Sequence, residues 1–101
     1  MILIALAAAT APLLPPEIAR DIRCVAIIGV AGDPAKAKEG ALYAAIVGAQ
    51  AMDATGQSRE SIRDLFFGQV RIVRKVKPTS EEANRCITQM RARIALEGVS
   101  P

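Results

Sequence analysis

Histidine is absent from the 101 residues. Its absence removes the commonest general base and the commonest metal ligand near neutral pH. A catalytic cysteine needs a base or a cationic neighbour to form its thiolate, and without histidine the usual pairing cannot be built. No serine lies in an S-x-x-K or G-x-S-x-G setting, which leaves serine nucleophiles without their usual surroundings. No Gly-Lys-Ser or Gly-Lys-Thr occurs, so a Walker loop is excluded. Aromatic residues make up 3% of the chain against 51% hydrophobic residues overall. The apolar content is therefore mostly Ala, Ile, Val and Leu, a composition that leans towards helix. No segment alternates polar and apolar residues as a half-buried strand does, no two segments repeat each other, and no linker is long enough to divide domains.

What is present begins with "MILIALAAATAPLLPP", a short apolar run followed by small residues and a proline break. Residues 1–11 fit the end of a secretory signal peptide, with Ala7 and Ala9, or Ala9 and Ala11, at the small-x-small spacing that signal peptidase reads. No Lys or Arg precedes the run, so the competing reading is an apolar N-terminal tail or a short first helix packed on the core. A membrane span needs roughly 20 apolar residues, and Pro12 interrupts this run early. Residues 12–101 are then a single helical domain, a length that supports one modest core.

Cys24 and Cys86 are the only cysteines, far apart in sequence and not a C-x-x-C pair. In an oxidising compartment they would bridge, closing a loop whose entropy is worth about 4 kcal/mol. In the cytoplasm both would be reduced, small buried apolar residues.

Four helical segments follow from the spacing of apolar residues. The first, "EIARDIRCVAIIGVAG", starts behind Pro15 and Pro16 with Glu17 in its first turn, where an acid complements the helix dipole. Ile18, Ile22 and Val25 form its stripe, and from Cys24 it is apolar all round, so its second half should be enclosed. Gly32 and Pro34 end it. The second, "AKAKEGALYAAIVGAQAMDATG", carries no charge from Gly40 to Met52. Leu42, Ile46, Ala49 and Met52 or Asp53 trace one face, and Gly40, Ala44 and Gly48 another on which a neighbour can approach closely. The third starts at Ser58, a good N-cap, and places Ile62, Leu65, Phe66, Gln69, Val73 and Val76 in one arc. The fourth opens with Thr79 and Glu82 at capping-box spacing, then carries Ala83, Ile87, Met90 and Ile94 with Cys86 at the edge of the stripe. The expected fold is all-α, a compact antiparallel four-helix arrangement in which a disulfide joins Cys24 of the first helix to Cys86 of the last.

Few groups offer chemistry. The stretch "AIIGVAGD" has Gly29 and Gly32 but lacks the first glycine of G-x-G-x-x-G, and its helical stripe is already running at Ile18, so its glycines read as close helix packing and a helix end. Glu60 with Asp64, and Glu81 with Glu82, sit in first turns where acids suit the dipole. "DATGQSRE" lacks the alternating acids of a calcium loop. No catalytic residue, metal or cofactor is expected, and the chain reads as non-enzymatic.

The formal charge of +3 favours anionic partners only mildly. The basic cluster Arg71, Arg74, Lys75 and Lys77 ends the third helix, where cations complement the dipole. Phe67 lies about 140° from Ile62 on the helical wheel, outside the apolar arc and among arginines. Phe67, Arg71, Arg74 and Lys75 therefore form a candidate interaction surface for a protein partner; the competing reading is that Phe67 packs under the N-terminal segment or a neighbouring helix. Nucleic acid is not expected, because "KPTSEEANR" would open a recognition helix with two acids facing the phosphates. A second possibility is a small apolar-ligand carrier with a pocket lined by Ile46, Met52, Phe66 and Met90.

The order of a short apolar leader, a proline break, "DIRCVA", an uncharged central helix, "TGQSRESIRDL" and a second cysteine in the last helix resembles the small exported two-cysteine helical proteins of alphaproteobacteria. The resemblance covers most of the chain and implies export and a disulfide, but no active site. A looser architectural likeness is to the small periplasmic acid-stress chaperones, from which this chain departs in cysteine spacing. The reading is a periplasmic or secreted protein-binding or structural module of the envelope. The alternatives are a chaperone-like protein, or a cytoplasmic one with reduced cysteines.

Overall fold

The structure, a computed structural model, describes residues 14–98. The leader at residues 1–11, with its candidate cleavage sites, lies outside them. Four helices make up the described chain: α1 (Pro16–Ala31), α2 (Ala37–Thr55), α3 (Arg59–Lys75) and α4 (Ser80–Leu96), with a single 3-10 turn at Pro34–Lys36 leading into α2. The fold is all-α and antiparallel.

The helix ends follow from local chemistry. Pro16 occupies the first turn of α1, where its missing N–H costs no intrahelical bond. Gly32 ends α1 at φ 65° and Gly56 ends α2 at φ 71°, left-handed conformations that glycine adopts without a Cβ clash. Ser58 Oγ accepts from the Ser61 amide at 3.2 Å, and Thr79 Oγ1 from the Glu82 amide at 3.1 Å. Only half of the capping box forms at α4. The Glu82 side chain, instead of turning back to the Thr79 amide, accepts two bonds from Arg23 of α1.

Helix α1 packs against all three others, α2 also touches α3 and α4, and α3 and α4 flank this central pair with little contact between them. The buried core is built from ridges of residues four apart: Ile18, Ile22 and Ala26 on α1, Tyr43, Val47 and Ala51 on α2, and Cys86, Met90 and Ile94 on α4. Rows at that spacing are the ridges that interlock between neighbouring helices. Ile62 and Val73 of α3 complete the core. Burying each large aliphatic side chain contributes about 1.5–3 kcal/mol.

Three expectations are corrected here. On α2 the buried face is Tyr43, Val47, Ala51 and Thr55, while Leu42, Ile46 and Met52 are only half-buried and Ala49 is exposed. A helix uncharged all round shows no polar–apolar contrast, so the face is set by its three neighbours. On α3, Leu65 stays in solvent at 38% exposure because the helix meets the core through Ile62, Phe66, Val70 and Val73, and Val76, 68% exposed, falls past the helix end as its extended C-cap. Gly29 is exposed, and a Cβ there would meet nothing within 4 Å, so it mediates no close packing. Gly40 and Gly48 do face neighbours: an added Cβ would lie 3.4 Å from Ile28 and 3.8 Å from Phe66.

Cys24 and Cys86 are bonded, joining α1 to α4 across a sequence separation of 62 with Cα atoms 5.0 Å apart. That distance is ordinary for a disulfide.

Candidate functional site

The most polar place in the interior is centred on a residue that the apolar stripes do not include. Asp21 is completely buried on α1, and an uncompensated carboxylate there would be prohibitive. Three side chains compensate it. The Tyr43 hydroxyl of α2 and Gln89 Nε2 of α4, at 3.1 Å, donate to Oδ1, and Arg93 Nε of α4 donates to Oδ2 at 2.8 Å. The network joins α1, α2 and α4 at one level. Burial, then the hydrogen bond to Asp21, pushes the Tyr43 phenol far above its usual value. Asp21 and Tyr43 are both inaccessible to solvent, so this carboxylate–phenol pair meets no substrate and acts as a structural node. Asp21 lies one position before Ile22, and only its place in the first helix's inward arc, beside Ile18 and Ile22, could have signalled its burial.

Around this node α4 is tied down repeatedly. Arg23 grips Glu82 at 2.7 and 3.0 Å, and the guanidinium holds the Glu82 carboxyl below the usual carboxylate range. Arg91 pairs with Glu39 of α2 at 3.2 and 3.4 Å. Beside the disulfide runs an open groove of about 350 Å³ lined by Arg20, Arg23, Glu82, Arg85 and Gln89. Its acid and one of its arginines are already engaged with each other.

Helix α3 is different. Among the described residues no side-chain hydrogen bond or ion pair links it to another helix. Its attachment is apolar, and its solvent side carries the candidate interaction surface. Phe67 is 53% exposed. Arg71, Arg74 and Lys75 are exposed too, and Arg63 shares the Phe67 side of the helix. The structure thus leaves Phe67, Arg71, Arg74 and Lys75 together on the outer face of one helix, an aromatic ring bordered by cations.

The residues considered for a carrier pocket are separated. Met90 is fully buried in the core. Met52 and Phe66 line an open groove of about 400 Å³ between α2 and α3, together with Ala44, Gly48 and Ile62, and Ile46 is not part of it. Among the described residues no group of three or more His, Cys, Asp or Glu side chains could hold a metal ion, and no helix is long and apolar enough to cross a membrane.

The fold and this surface define a class, a four-helix bundle closed by one disulfide in which, among the described residues, no buried polar side-chain atom lacks a hydrogen-bond partner. Comparison with protein-family models, curated proteins and solved structures finds no match.

Proposed function

We propose that the chain is a non-enzymatic protein-binding or structural module of the bacterial envelope, and that it binds through the outer face of α3. The observation that carries this reading is Phe67, a large aromatic side chain 53% exposed beside Arg71, Arg74 and Lys75. Aromatic and arginine side chains supply most of the anchoring energy of protein interfaces, and a monomer gains nothing from leaving such a ring in water. The disulfide supports an oxidising compartment such as the periplasm or the cell exterior. The carrier alternative draws only on the open α2–α3 groove, which would leave much of a small apolar ligand in solvent.

The test is crosslinked capture from native envelope extracts with the oxidised chain. We expect a captured protein that is lost with the R71E/R74E double variant and with F67A, and retained with K38E, a charge reversal at an exposed site on α2. Identical capture by all four proteins would overturn the reading.

A further inference from the structure

Helix α3 and its C-cap residue carry a second exposed strip whose apolar side chains the Phe67 surface does not use. Leu65, Ile72 and Val76 are 38%, 48% and 68% exposed. On the helix Leu65, Gln69 and Ile72 fall at spacings of four and three within an arc of roughly 60°, and Val76, the extended C-cap residue, follows four positions on. That is the spacing of a coiled-coil seam, and it lies beside the buried face and not within it. The outer border of the strip is formed by Ser61, Gly68, Asp64 and Lys75. Ser61 and Gly68 are small, so a second helix can come close. Asp64 and Lys75 have opposite charge, sit at opposite ends of the strip, and form no ion pair among the described residues.

We propose that the chain forms a two-fold symmetric dimer in which the strip formed by Leu65 and Ile72 of α3 and its C-cap Val76 packs antiparallel against the same strip of a second copy. The choice of a second copy rests on the charge pattern. A two-fold axis crossing α3 at the level of Val70 sets Leu65 against the partner's Val76 and Gln69 against the partner's Ile72. The same axis brings Asp64 near the partner's Lys75, and the pair occurs twice because a two-fold interface is self-complementary. Parallel pairing would carry the partner's border to the opposite side of the seam, so Asp64 would meet no Lys75 there. One helix pair buries less than the roughly 800 Å² per partner of a standard interface, so the dimer is weak and concentration-dependent. The strip is separate from Phe67, Arg71 and Arg74, so each dimer would present those three twice, with Lys75 engaged at the seam.

Sedimentation velocity on the oxidised full-length chain, from about 10 μM to about 1 mM, tests this apart from any capture experiment. The wild type should rise from the protomer mass towards twice that mass. I72D, at a position already in solvent, should remain monomeric with an unchanged helical spectrum. D64K and K75D should each raise the dimer Kd by about tenfold, since both turn two attractions into repulsions, and the D64K/K75D double variant should recover wild-type association. A wild type that stays monomeric throughout overturns the proposal, including one whose strip is covered by its own residues 1–13 or taken by another protein. So does a dimer indifferent to I72D, or one that the double variant does not restore.

Discussion

A single carboxylate organises three of the four helices. Asp21 has no exposed surface, and its two oxygens take a phenol, an amide and a guanidinium from two other helices. The arrangement specifies more than it stabilises, because the desolvation of a buried ion pair offsets much of its attraction. It fixes the heights of α2 and α4 against α1, which apolar ridges of similar side chains could satisfy in more than one register. Removing the acceptor is costly because three donors then lose their partner at once. D21A should lower the unfolding free energy by about 3–5 kcal/mol. Y43F keeps the ring and leaves Gln89 and Arg93 in place, so its cost should be about 1–3 kcal/mol. Chemical denaturation of the oxidised protein measures both, and equal costs for the two variants would contradict the node.

The helices themselves fall into two groups. Helix α4 is held to α1 by the disulfide, by Arg23 with Glu82 and by the Asp21 network, and to α2 by Arg91 with Glu39. Helix α3 is held by Ile62, Phe66, Val70 and Val73. Elements with fewer buried contacts and more exposed backbone open at lower free energy. Native-state hydrogen exchange should therefore find the amides of α3 the least protected of the four helices and those of α1 the most. Protection of α3 equal to that of α1 and α4 would refute this. The same division explains what could be foreseen from residue order. Helix ends were legible, because Gly32, Gly56, Ser58 and Thr79 act on their own few neighbours. The Cys24–Cys86 link was legible because the chain has only these two cysteines, and the separation of Phe67 from the apolar arc because it follows from position on a helix. The faces of α2 and α3 were not. Tyr43 is buried because α1 and α4 supply Asp21, Gln89 and Arg93 around it, and Leu65 is exposed because no helix of the described chain reaches that side. Both outcomes depend on which helices become neighbours, and periodicity within one segment does not encode that.

For the molecule as a whole, pH acts at two ends through two groups that hold helices together. The Glu82 carboxyl sits below its ordinary range because Arg23 binds its charged form. In the unfolded chain it takes up a proton near pH 4.3, before the folded protein does. The stability this pair contributes is therefore present above that pH and lost as pH falls further. Tyr43 works at the other end. Burial and Asp21 raise its phenol, so above about pH 10 the unfolded chain releases a proton that the folded protein keeps. Stability is then complete below that pH and declines as pH rises. Histidine, the group that would ordinarily titrate between these limits, is absent, so the unfolding free energy should be nearly flat between about pH 5 and 9. Urea denaturation across pH 3 to 11 should give this plateau with a fall at each end, the disulfide being kept intact throughout. E82Q should soften only the acid fall, and Y43F only the alkaline one. An alkaline fall unchanged in Y43F would show that the phenol is not the group whose ionisation opens the junction of α1 and α2.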